Sequence, residues 1–189
     1  MCDLVLGWDG ANCAGFALAT VCADPRISLS GVVRGTTDAR RLRNLWDAVN
    51  KVQAACDDLV VCVFAEQPWL HGESPESKRA YGKLCRVTGW IEAAAAFYSY
   101  PARLVRPEVW RAAMIGGPAN RSREDWKRIA LAMVRSLDMA PVTHDEAEAC
   151  LIALYGAKTI WLERATNVKA AARRARRLGP PARPDSGHS

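Results

Sequence analysis

Four carboxylates in this 189-residue chain stand where a carboxylate needs a reason. Asp9 ends the apolar run Leu4-Val5-Leu6-Gly7-Trp8, and Glu66 ends the run Leu59-Val60-Val61-Cys62-Val63-Phe64-Ala65. Such runs read as buried strands, whose interiors take apolar side chains. If the two strands are neighbours in one sheet, both acids open at the same edge. Asp145 and Glu148, spaced i, i+3, fall on one side of a helix that can face them. Acids gathered in this way repel one another unless cations sit between them. Paired Mg²⁺ ions, with Mn²⁺ as substitute, suit oxygen-only ligands, and they catalyse phosphodiester hydrolysis by activating water and stabilising the leaving oxygen.

Each acid alone also has an ordinary structural explanation. Asp9 before Gly10 fits a turn, and Glu66 before Gln67-Pro68 fits a solvated strand end. Asp145 and Glu146 lie in a first helical turn, where the helix dipole favours acids. Glu148, one turn further in, is less easily explained so. The four in this order are more specific than any one of them.

The elements that must position these residues follow from periodicity. A strand from Leu4 ends in Trp8-Asp9-Gly10, and Gly10-Ala11-Asn12 makes a turn. Gly15 to Cys22 reads as a second strand and Ile27 to Gly35 as a third, with Asp24-Pro25 between them. Asp38 caps a helix to about Cys56, with Leu42, Leu45, Val49 and Val52 on its apolar face. The continuous apolar run 59–65 predicts a strand buried on both faces and paired in parallel at the sheet centre. After the turn-rich stretch His71 to Ser77, a helix runs to about Ser99, with Leu84, Val87, Ile91, Ala95 and Tyr98 spaced for a core face. Ala102 to Val105 is a short fifth strand. Pro107 begins a brief helix through Trp110 to Ile115, ended by Gly116-Gly117-Pro118. Ser122 and Asp125 open another, with Ile129, Met133, Val134 and Leu137 as its buried stripe. Thr143-His144-Asp145-Glu146 fits a capping box for the last helix, which runs to roughly Arg164. Past Thr166 an Ala/Arg-rich segment can extend it, and Pro180-Pro181 with the Ser/Gly end reads as disordered.

Composition narrows the class. Half of the chain is hydrophobic, which fits a globular domain, and no apolar run approaches a membrane span. Asp3 interrupts any signal-peptide pattern, so a soluble, cytoplasmic protein is expected. Seven scattered cysteines without a C-x-x-C pair argue against a disulfide framework or a zinc site, and Cys62 and Cys150 read as small core residues. His71, His144 and His188 are too few for a His-rich metal site. Residues 164–189 hold seven basic residues and one acid, leaving 19 of each sign in residues 1–163. The entire excess of +6 therefore lies in the tail. A polyanion partner follows as one explanation and a solubilising tail as the other.

With these residues in place, the chain resembles the RuvC-type Holliday junction resolvases of the ribonuclease H-like superfamily, particularly divergent members carried by phages. The resemblance spans residues 4–157. Gly7-Trp8-Asp9-Gly10-Ala11-Asn12-Cys13-Ala14-Gly15-Phe16-Ala17 is similar to the family's first strand and turn, with Asn12 near the usual second glycine. Ala65-Glu66-Gln67-Pro68-Trp69 is similar to the second motif, residues 81–89 to the helix after it, and Asp145-Glu146-Ala147-Glu148-Ala149 to the closing D-x-A-D-A. Glu148 stands where aspartate is usual, which moves its carboxylate by roughly one C–C bond.

The resemblance implies an α/β fold: a ribonuclease H-like mixed five-stranded sheet, three antiparallel strands and then two parallel, flanked by helices. A nuclease domain is then expected over residues 1–165, and charge and composition predict a basic, flexible tail over 166–189. Asp9, Glu66, Asp145 and Glu148 would hold two Mg²⁺ ions per active site. Trp69 would insert at a junction crossover, with Lys78, Arg79, Lys83 and Arg86 lining the DNA path. Lys127 and Arg128 are further candidate phosphate contacts. The implied activity is symmetric nicking of branched DNA by a homodimer, in recombination, repair or phage DNA processing. The helix from Glu76 to Ser99, with Ala93-Ala94-Ala95-Ala96, is the interface candidate. Three rivals remain open at this point: a ribonuclease H-like nuclease for flaps or RNA–DNA hybrids, a non-catalytic branched-DNA-binding protein, and a sugar-kinase-like ATPase fragment.

Overall fold

Side-chain alternation along the first strand decides which way the acids face. The computed structural model describes residues 3–10, 14–35, 37–56, 59–70, 72–116, 121–141 and 143–178. The sheet has the order β3-β2-β1-β4-β5, built from β1 (Asp3–Asp9), β2 (Gly15–Thr20), β3 (Ile27–Val32), β4 (Leu59–Glu66) and β5 (Ala102–Val105). β1–β2 and β2–β3 are antiparallel; β1–β4 and β4–β5 are parallel. This is the expected ribonuclease H-like sheet, with the apolar run 59–65 near its centre. β2 and β3 are two and three residues shorter than the sequence pattern suggests.

Five helices complete the fold: α1 (Asp38–Cys56), α2 (Pro75–Phe97), α3 (Pro107–Met114), α4 (Arg123–Ser136) and α5 (His144–Leu178). They divide the core into two layers. Leu4, Leu6 and Trp8 point to one face of the sheet, with Leu45, Trp46 and Val49 of α1 and Ile91 and Ala95 of α2. Val5, Cys62 and Phe64 point to the other face, where α5 lies. Successive strand side chains alternate between faces. Asp9 and Glu66 therefore belong to the α5 side, in step with Val5 and Gly7, and with Cys62 and Phe64. The register that pairs Trp8 with Ala65 brings the two acids together at the ends of parallel neighbours.

α5 lies unusually close to this face. A Cβ on Gly7 would fall 2.4 Å from both the Ala149 carbonyl oxygen and the Ala153 nitrogen. On Gly15 it would fall 2.0 Å from the Asp145 carbonyl oxygen. The facing residues of the helix are small too: Ala147, Ala149, Ala153 and Ala157 are fully buried. Glycine opposite alanine thus lets helix backbone rest on sheet backbone.

α5 continues past Arg164 to Leu178 along the Ala/Arg-rich segment expected to extend it, because Ala and Arg are strong helix formers and the helix is already nucleated. Two details differ from expectation. The buried stripe of α4 is Trp126, Ala130 and Val134; Leu137 is 53% exposed at the helix end, and Ile129 and Met133 are half-buried. In α2 the buried residues are Thr88, Ile91 and Ala95, while Tyr98 stacks on Trp46 and stays partly open to solvent. Cys62 and Cys150 are core residues as expected. The turn at 11–13, Val142, Gly117-Pro118, His71 and the segment from 179 onward lie outside the described residues. Among the described residues, no helix is long and apolar enough to cross a membrane.

Gly15→Ala is expected to push the first turn of α5 away from β2 and destabilise the protein by about 1–3 kcal/mol, the usual cost of overpacking. Gly82, in α2, has open space where a Cβ would stand, with nothing within 4 Å, so Gly82→Ala should be neutral or stabilising. Thermal melts of the two variants check the contrast.

Candidate active site

The close seat of α5 brings its first turns to the strand ends. Thr143 caps the helix by accepting from the Glu146 N–H at 3.1 Å, and Asp9 pairs across β1–β2 with Gly15, against which Asp145 presses. Carboxylate oxygens of Asp9, Asp145 and Glu148 come within 4.8 Å of one another. Asp9 and Glu148 are buried, and Asp145 is half-buried. Glu146 turns elsewhere: the Ser30 hydroxyl donates to its Oε1 at 2.8 Å, tying α5 to β3.

Glu66 stands beside this group rather than within it. The Trp110 indole N–H donates to its Oε2 at 2.9 Å. The guanidinium of Arg111 donates to Glu148 Oε1 at 3.0 Å and lies 3.6 Å from Glu66 Oε2, so one cation joins the two glutamates. Arg111 is itself held near the rings of Trp110 and Trp126, at 5.0 and 5.9 Å. Trp110 and Arg111 are the site residues that the sequence motifs do not single out. Their signal is positional: α3 starts two residues after β5, and Val105 of β5 pairs with Glu66, so the first turns of α3 must lie at the same sheet edge.

The electrostatics of the group are strained. Burial first, then the charges of Glu66, Glu148 and Asp145, push the Asp9 carboxyl well above the usual carboxylate range, with Arg111 opposing. Burial raises Glu66 to about 7, against the pull of Arg111 and the Trp110 hydrogen bond. Asp145 is raised by burial and held back by Lys127, His144 and Arg123. Asp9 Oδ2 is buried with no hydrogen-bond partner among the described residues. Oxygen-only donors, close carboxylates and an unpartnered buried oxygen are together what a hard divalent cation requires, so the residues fit such an ion.

The other residues singled out from sequence lie outside this group. Trp69 follows Glu66 by three positions and is 49% exposed. Lys78, Arg79, Lys83 and Arg86 are exposed on α2, without an acidic partner among the described residues. Val87 of the same helix would lie 3.5 Å from a Cβ on Gly10, so this turn of α2 approaches the residue after Asp9. Lys127 is half-buried on α4, close enough for its charge to act on Asp145, whereas Arg128 pairs with Asp125 at 3.1 Å on the exposed side.

These shifts have a consequence for stability. Glu66 titrates near 7 in the folded protein against 4.5 for an ordinary glutamate, so the fold favours its protonated form. Stability is then greatest below about pH 4.5 as far as this group is concerned, and it falls as pH rises through 7. Asp9 acts in the same sense. In EDTA the melting temperature should drop between pH 5 and pH 8, and Mg²⁺ should raise it more at pH 8 than at pH 5. A pH-independent melt would mean that the acids are not packed together.

No protein-family model matches the sequence, and no curated protein matches it either. Solved structures do match. Thermus thermophilus RuvC in complex with a Holliday junction substrate is 19% identical, with a TM-score of 0.60 over 85% of this chain and 96% of that one. A second structure of Thermus thermophilus RuvC matches at 18% identity and a TM-score of 0.58, over the same shares. The yeast mitochondrial Holliday junction resolvase Ydc2 matches at 13% identity and a TM-score of 0.47, over 90% of this chain and 83% of that one. The chain has the ribonuclease H-like fold of RuvC.

Proposed function

We propose that this chain is a divalent-cation-dependent endonuclease that resolves four-way DNA junctions by paired symmetric nicks. The observation that carries the reading is the close group of buried Asp9 and Glu148 and half-buried Asp145 at the strand ends of this sheet. A protein with the same fold, solved on a Holliday junction, supports the choice of substrate.

In this reading Asp9, Asp145 and Glu148 would hold one Mg²⁺ or Mn²⁺, and Glu66 would contribute to a second. Bound ions would supply Lewis acidity and charge neutralisation for phosphodiester hydrolysis. The chain's own residues do the positioning. Trp110 fixes one oxygen of Glu66, leaving the other for a cation or a proton. Arg111, Arg123 and Lys127 surround the acids with positive charge and draw a phosphodiester to them. Trp69 stacks on a base exposed at the branch, while Lys78, Arg79, Lys83 and Arg86 follow the phosphate backbone. Two cuts on opposed strands call for two copies of the site. A homodimer meets that need, with the exposed side of α2, Ala93 and Ala96 among its residues, as the surface between copies.

The test is cleavage of a labelled four-way junction beside a matched linear duplex, a 5′ flap and an RNA–DNA hybrid, in Mg²⁺, Mn²⁺ and EDTA. Symmetric, cation-dependent nicks on the junction are expected, reduced about a hundredfold or more by Asp9→Asn and by Glu66→Gln. Cleavage of the hybrid or flap in preference to the junction would overturn the substrate assignment. Binding without cleavage in either cation would overturn the enzyme assignment. Separately, Trp69→Ala should weaken junction binding by about tenfold or more, the equivalent of one lost base stack, while leaving linear duplex binding unchanged.

A further inference from the structure

α5 is much longer than the sheet it covers. Its packed part ends near Ile160, which is 8% exposed. The next turn is fastened at the edge of the sheet opposite the acids. Glu163 takes two hydrogen bonds from Arg103 of β5, at 2.7 and 3.0 Å, and Arg164 pairs with Asp3 at the start of β1. Beyond this clamp the helix runs on to Leu178. Residues 166–171 and Arg173 are all exposed.

This projecting segment carries Lys169, Arg173, Arg174, Arg176 and Arg177, and residues 165–178 contain no acid. Lys169 and Arg173 have no acidic partner among the described residues. A favourable helix dipole explains a basic residue or two in the last turn. It does not explain like charges repeated at i, i+3 and i, i+4, as in Lys169–Arg173, Arg173–Arg176 and Arg173–Arg177, a spacing at which like charges repel. A polyanion relieves that repulsion. Arginine among alanines, with no aromatic residue in the segment, suits phosphates rather than bases.

We infer that the projecting end of α5 is a second DNA contact, gripping the backbone of a duplex arm away from the active site. The identity of the polyanion as DNA rests on the proposed function; the position of the contact does not. Because one helix carries both Glu148 and Arg173, their separation follows from its rise: 25 residues at 1.5 Å each is about 38 Å. At 3.4 Å per base pair that is roughly 11 base pairs of duplex. DNA that reaches the active site can use this contact only when its arm is at least about that long.

The experiment compares the full chain with a variant combining Lys169→Gln, Arg173→Gln, Arg174→Gln, Arg176→Gln and Arg177→Gln; glutamine keeps the helix propensity. Binding is measured in EDTA over a range of salt, on junctions with arms of about 8 and about 25 base pairs, shorter and longer than that ~11-base-pair span. Linear duplexes of matching length and phosphatidylserine vesicles are included. The native chain should bind the long-armed junction with the steeper salt dependence. The variant should lose up to about 4.5 from the log–log slope on long arms, near 0.9 for each of five phosphate contacts removed, and change little on short arms. Its helicity should be unaltered by circular dichroism. Equal slopes for the two proteins on long arms would overturn the inference, as would equal losses on short and long arms. Vesicle binding that depends on the five residues, with DNA binding that does not, would assign the segment to a membrane surface and also overturn it. If long linear duplex shows the same loss but no junction preference exists, the contact stands and the junction reading falls.

Discussion

The candidate site depends on how near one helix can come to one sheet. Side chains normally hold packed layers about 10 Å apart, and at that distance short carboxylates on the two layers do not converge. Here the Cβ atoms are missing where they would intrude, at Gly7 and Gly15, and α5 answers with alanines. Packing density in a protein interior leaves little slack for compensation. A contact that looks purely steric is therefore also electrostatic, since it forces Asp145 and Glu148 against Asp9 in a place with little water.

Crowding acids in this way works against folding. Asp9 and Glu66 both favour their protonated forms, and Asp9 has a buried oxygen with nothing to bond among the described residues. Arg111 offsets part of the repulsion, and its guanidinium is confined by two tryptophans rather than left to solvent. Strain of this kind, concentrated where the rest of the fold is well packed, is what a cation at the proposed site would relieve.

Much of the fold is legible in the sequence because its signals are local. The apolar run 59–65 announces a central parallel strand, Ser122 and Thr143 announce helix starts, and Gly116 a stop. The acids are legible because carboxylates at the ends of apolar strands are rare. What escapes depends on tertiary detail. Nothing local distinguishes Arg111 from other helical arginines, and its role arises only when α3 is laid against Glu66. The stripe of α4 is hidden for a related reason. Trp126 is amphipathic at the sequence level, and its ring is covered by the guanidinium groups of Arg111 in α3 and of Arg121, which no local pattern announces. The extension of α5 is legible only as an Ala/Arg-rich run, because helix propensity, not an apolar face, sustains its end.

The group of acids is also assembled from the far ends of the chain. Asp9 lies in the first strand, Asp145 and Glu148 in the last helix, and β1 and α5 share one of the most extensive contacts in the molecule. Contacts this distant in sequence carry a larger loop-closure cost than the local pairings around them. A chain still emerging from the ribosome therefore has its strands and first helices before the acids of the proposed cation site can meet. Synthesis itself keeps the acids apart until the whole sheet has been covered.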